Sequence, residues 1–160
     1  MSPIVRRLLS VALLLAPWPA VLAQAPARRF INPAGLTQPS GYTHVAVDAG
    51  GRTAYIAGQV ALDSTGQVIG AGDFPAQAER VFGNLRIALA SVGATFEDIL
   101  KTTTYVTDLK YLPELREARS RYFDAAHPPA NTLVPVAALA RPELLLEIEA
   151  IVDLRAPTQK

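Results

Sequence analysis

The sequence contains no cysteine. That excludes disulfides, thiolate metal sites, thiol nucleophiles and a lipid-bearing N-terminal cysteine. Only two histidines occur, His44 and His127, far apart in the chain. So spaced, they point to structural or surface positions rather than a metal centre. No G-x-S-x-G turn is present, so a serine triad has no support. Gly66, Gly70 and Gly72 match no phosphate-cradling loop. Charge of either sign is not in excess: 15 Lys and Arg face 14 Asp and Glu, with no basic run. Nucleic acid is therefore not an expected partner. Nothing in the residue types calls for a cofactor or a metal.

Residues 1–23 differ in kind from the rest. Arg6 and Arg7 form a positive start, residues 8–16 a short apolar core, and Pro17-Trp18-Pro19 breaks any helix. Val21-Leu22-Ala23 supplies small residues where a signal peptidase cuts. A membrane-spanning helix needs about 20 apolar residues, and this run is shorter and interrupted by proline. The segment reads as a secretory signal cleaved after Ala23. The mature chain, 24–160, is then expected in the periplasm or outside the cell, with no stable membrane anchor. Its length suits one domain.

Along the mature chain, Phe30-Ile31-Asn32-Pro33 reads as a short extended piece. Residues 42–49 and 53–59 read as two strands, joined at Gly50-Gly51 by a tight hairpin turn that asks for positive φ at both glycines. Residues 60–72 read as a loop with a short hairpin or strand inside. Asp73 is a candidate N-cap, with Pro75 in the first turn. The helix it opens is expected over 75–92. Ala78, Val81, Phe82, Leu85, Ala88, Leu89 and Val92 form its apolar stripe, and Gly93 ends it. A strand at 100–108 and a second helix at 112–125 follow. The order is β-β-(β)-α-β-α-β-β, an α+β mixed sheet with both helices on one face.

The last stretch, 129–154, organises the rest. It reads as two strands around a proline-containing link. In the second, Leu144, Leu146, Ile148, Ala150 and Val152 share one face, while Leu145, Glu147, Glu149, Ile151 and Asp153 share the other. Two carboxylates on one face fit either a solvated edge or the wall of a polar pocket.

This stretch, PAN-x-x-V-x-V followed by L-x-E-I-E-A-I, resembles the C-terminal signature of the RidA/YjgF family of enamine/imine deaminase-like proteins. Further blocks carry the likeness: GYTHVAV around Tyr42, Tyr55-Ile56-Ala57-Gly58-Gln59, Gln77-Ala78 with Asn84, Lys101-Thr102-Thr103, residues 106–109, and Tyr122-Phe123. Together they span roughly residues 30–154. The resemblance implies a chorismate-mutase-like subunit. It also implies a homotrimer around a central barrel, with small-molecule clefts between neighbouring subunits.

The same resemblance assigns site residues. Hydrolysing a C=N bond needs an oriented water, and a carboxylate can place it. The family's water-positioning glutamate falls on Glu147, and its pocket tyrosine on Tyr42. Its Ser-Gly-Gln becomes Ala57-Gly58-Gln59, with a hydroxyl lost. Its arginine, which grips the substrate carboxylate by paired charge-assisted hydrogen bonds, falls on Asn131. Two residues on, a small polar residue or cysteine becomes Leu133. An asparagine of the second helix becomes Arg116, a candidate relocated cation. Three functions follow as expectations. One is a binder of small polar metabolites without ordinary 2-imino-acid deaminase activity. The second is a working imine or enamine hydrolase for substrates lacking a carboxylate. The third is a trimeric interaction module with vestigial clefts.

Overall fold

The computed structural model describes residues 27–154; the proposed signal segment lies outside them. Six strands form one sheet: β1 Arg29–Ile31, β2 Val45–Val47, β3 Thr53–Val60, β4 Ile99–Val106, β5 Ala130–Pro135 and β6 Leu146–Asp153. The spatial order is β1-β2-β3-β6-β4-β5. The last strand therefore enters the middle. Every pairing is antiparallel except β4 with β5, which is parallel. A parallel neighbour requires a crossover, supplied by helix α2, Leu112–Ser120. Helix α1, Phe74–Ala90, links β3 to β4.

Strand β6 shows why this order is stable. Its residues alternate buried and half-buried along the whole strand. Leu146, Ile148 and Val152 are fully enclosed. They meet Phe82, Leu85 and Leu89 of α1 and Leu115 of α2 in a single core. A central strand with an unbroken period-2 pattern leaves one register that buries its apolar side. Asp73 caps α1 as read from the sequence, its carboxylate accepting from Ala76 N at 3.0 Å. Fully buried Gln77 fastens the β5–β6 link onto that helix. Its Nε2 donates to Glu143 O at 2.6 Å, and its Oε1 accepts from Leu145 N at 2.8 Å.

Several local expectations shift. The strand expected over 42–49 shortens to Val45–Val47, because the chain before it follows buried His44. The backbone N–H of His44 donates to Asn32 Oδ1, and its Nε2 donates to Thr37 O at 2.8 Å. The Gly50-Gly51 turn needs positive φ only at Gly51, where φ is 68°. Asp48 sets this turn, its Oδ1 accepting from Arg52 N at 2.8 Å and Thr53 N at 3.0 Å. The segment after β3 does hold the short hairpin expected within 60–72, closed by the antiparallel bridge of Leu62 with Val68. α1 stops at Ala90 and α2 at Ser120, earlier than their apolar periodicity suggests. Tyr122 and Phe123 leave the helix to pack against Phe96 and Phe82. The extended piece near Phe30 becomes the edge strand β1.

Candidate functional site

Strand β3 carries a bulge at the point where it meets the β6 carboxylates. Ile56 pairs with Ala150 and Gln59 with Ile148, so Ala57 and Gly58 stand opposite Glu149 alone. A two-against-one bulge re-aims the side chains around it. The bulge is held by Ala57 N donating to His44 O at 2.9 Å and by Gln59 Nε2 donating to Ala57 O at 2.9 Å. Beyond the bulge, Gln59 points into the core. There it meets His44 Nδ1 at 3.3 Å. Since His44 Nε2 donates to Thr37 O, Nδ1 is the unprotonated acceptor.

Gly58 makes room for Glu147. A Cβ at Gly58 would collide with the Glu147 carboxylate oxygen and lie 2.6 Å from its Cδ and 2.9 Å from its Cγ. The acid therefore lies flat over bare backbone. Burial, and secondarily the charge of Glu149, hold its pKa above the ordinary glutamate value. Gly58→Ala is compatible with the local backbone but pushes this carboxylate toward water. The expected result is a Glu147 pKa that falls back toward the ordinary range, followed by carboxyl NMR titration. An unchanged pKa would contradict the contact.

Tyr42 and Gly58 share a small pocket of about 30 Å³ with Thr37, His44 and Gln59. Tyr42 stands edge-on to the His44 ring, centroids 5.3 Å apart. Ala57 instead lines a larger neighbouring cleft of about 320 Å³, with Tyr55, Lys101, Thr103 and Glu149. Glu147 and Glu149 thus leave β6 on the face away from the helices, one over Gly58 and one in that cleft.

Asn131 and Leu133 lie elsewhere. Asn131 pairs in register with Thr102 of β4. Its Oδ1 accepts from Thr102 Oγ1 at 2.9 Å and Thr104 Oγ1 at 3.1 Å. Both threonines are fully buried beside Ile148 and Ala150, on the helix side of the sheet. Asn131 and Glu147 therefore leave the sheet on opposite faces, with β4 between their strands. Leu133, two residues along, is half-buried against the core on the Asn131 side. Arg116 is exposed on α2. Arg119, one turn on, reaches the sheet and approaches Thr102 Oγ1 at 3.4 Å. Arg119, Thr102 and Thr104 were not among the expected site residues. The signal for Arg119 was its place four residues after buried Leu115, at the margin of the apolar stripe. Among the described residues, no group of three or more His, Cys, Asp or Glu could hold a metal.

A family model described as Endoribonuclease L-PSP matches residues 35–154. Protein DfrA of Myxococcus xanthus is 42% identical over 107 residues, covering 67% of this chain and 79% of that protein. The mouse 2-iminobutanoate/2-iminopropanoate deaminase is 38% identical over 101 residues, covering 62% of this chain and 73% of that one. Among solved structures, E. coli TdcF with bound serine superposes with a TM-score of 0.69 at 28% identity, covering 79% of this chain and 98% of that one. RidA from an Antarctic Psychrobacter matches with the same TM-score at 29% identity, covering 78% and 97%. The family model spans most of the chain and the relatives agree with it, so the chain belongs to the RidA/YjgF family, the proteins of the Endoribonuclease L-PSP family model.

Proposed function

We propose that the protein is an exported homotrimer that binds small polar metabolites in clefts shared between copies, and that it is a weak deaminase of 2-imino acids. The observation that carries this reading is the opposition of Asn131 and Glu147 across one sheet. Within a single chain no small ligand can touch both. A second copy, set against the exposed outer edge of β5, could bring its own Glu147, Gly58 and Tyr42 to the first copy's Asn131. The helix-free face supports association. Tyr55 is 52% exposed there, and Leu100, in the bulge of β4, is equally exposed, an apolar area that a stable monomer would cover. The serine bound by TdcF and the deaminase activity named for the mouse relative are consistent with a small amino-acid-like ligand. The chain's near-neutral charge favours such a ligand over RNA.

The expectation of weak activity rests on the resemblance, which sets Asn131 at the position of the family's carboxylate-gripping arginine. A second reading, hydrolysis of imines or enamines that lack a carboxylate, draws on Glu147. Its perched, partly dehydrated carboxyl suits proton transfer to and from water. Light scattering at micromolar concentration tests the assembly. A mass of three chains is expected, and a monomer would contradict the shared cleft.

A further inference from the structure

We propose that Arg119 supplies the positive charge of an anion subsite on the Asn131 side of the sheet, and that this subsite takes the carboxylate of a small ligand. The inference rests on the reading above that the β5 edge forms one wall of the ligand cleft.

Arg119 lies on α2, half-buried, with its guanidinium 4.7 Å over the Phe123 ring. Its one hydrogen bond among the described residues runs to Thr102 Oγ1, and no carboxylate there pairs with it. Burial alone pulls its pKa down, as expected of a cation removed from water without a counter-ion. By contrast, Arg121 on the same turn has both Glu79 and Glu117. A half-buried guanidinium lacking an anion is a site waiting for one, because its remaining N–H groups form a planar donor fork.

The hydrogen-bond directions sharpen the chemistry. Thr102 Oγ1 accepts from Arg119 and so directs its own proton to Asn131 Oδ1. Thr104 Oγ1 donates to the same oxygen. Two hydroxyl protons on one side orient the amide, so Asn131 turns its Nδ2 group outward. The acceptor is consumed and only donors remain. Arg119 and Asn131 together therefore offer donors and one positive charge, with Leu133 as an apolar neighbour. Such a surface fits a carboxylate on a short apolar body. It does not fit a primary amide, whose NH₂ would face donors.

Calorimetric titration of the purified protein with pyruvate and with its neutral isostere pyruvamide tests this. Wild type is expected to bind pyruvate about tenfold or more tightly than pyruvamide, the scale of one charge-assisted contact. Arg119→Met should reduce pyruvate to the pyruvamide level and leave pyruvamide unchanged. Arg119→Lys should keep part of the preference, since it retains charge but not the fork. Arg52→Met, on the distant β2–β3 turn, should change neither. A pyruvate preference that survives Arg119→Met, or one lost instead in Arg116→Met, would overturn the assignment. Equal binding of the two probes by wild type would overturn the subsite alone, while failure to bind either would also remove the metabolite-binding reading. If Arg119→Met does not fold, the wild-type preference and Arg119→Lys decide: no preference, or one unchanged by lysine, contradicts the guanidinium fork.

Discussion

Freshly generated 2-iminopropanoate is expected to be hydrolysed by this protein roughly 10²- to 10⁴-fold more slowly than by a relative carrying arginine at position 131. Arginine offers a fixed charge and two parallel donors to a carboxylate. Each charge-assisted bond is worth roughly 1.5–3 kcal/mol. Asn131 offers one neutral NH₂, and its oxygen is already taken by Thr102 and Thr104. Arg119 can attract a carboxylate but does so from α2, not from the strand edge that would set the imine carbon against a neighbour's Glu147. Affinity can thus survive where turnover does not. Asn131→Arg is expected to raise the rate of 2-oxo-acid release by about tenfold or more. The gain stays partial for three reasons. Thr102 and Thr104 lose their shared acceptor, the new guanidinium sits near that of Arg119, and Ala57 lacks a hydroxyl. Wild-type turnover equal to that of an arginine-bearing relative would contradict this account and leave Arg119 as the first residue to change.

Glu147→Gln, made in the Asn131→Arg background, is expected to lower turnover by roughly 10²- to 10⁴-fold, the usual contribution of a positioned acid–base group. The same change should not destabilise the fold. The folded-state pKa of Glu147 is raised, chiefly by burial. The native state therefore holds this proton more tightly than the unfolded chain. Any stability it lends is fully present below the unfolded pKa and is lost as pH rises through the folded value. Glutamine carries no such penalty, so the variant should melt no lower than its parent at neutral pH. Its relative advantage should shrink near pH 4, where the parent's carboxyl is protonated. Loss of activity with retained or improved melting temperature separates a chemical role from a structural one. Loss of both together would make Glu147 a packing residue.

How much of this could be read in advance depended on the range of the interactions. The β6 alternation from Leu146 to Asp153 is local, and one register satisfies it, so both faces of that strand were legible. The Asp73 cap and the α1 stripe were legible for the same reason. The bulge at Ala57-Gly58 was not, since a bulge is a property of two strands and β6 lies some 90 residues later. Nor were the ends of α2, where Tyr122 and Phe123 gain more from the aromatic cluster with Phe82 and Phe96 than from another helical turn. Arg116 was the expected cation, yet helical spacing alone cannot say which side of α2 meets the sheet, and Arg116 is exposed. Buried Leu115 and Ala118 fix the side that faces the sheet, and they bring Arg119 toward Thr102. That Asn131 and Glu147 leave opposite faces follows only once β4 is known to lie between β5 and β6.

On the proposed assembly, one functional site needs Asn131 from one copy and Glu147 from another. Co-expression of two chains tests it directly. One chain is wild type, with Glu147 but no arginine at position 131. The other carries Asn131→Arg together with Glu147→Gln. Neither chain holds both groups. If the site is shared, mixed assemblies should release 2-oxo acid from 2-iminopropanoate well above either chain alone, and up to a fraction of the Asn131→Arg rate set by the mixing statistics. Mixed assemblies no more active than the separate chains, while Asn131→Arg by itself is active, would place both groups in one subunit and contradict the account.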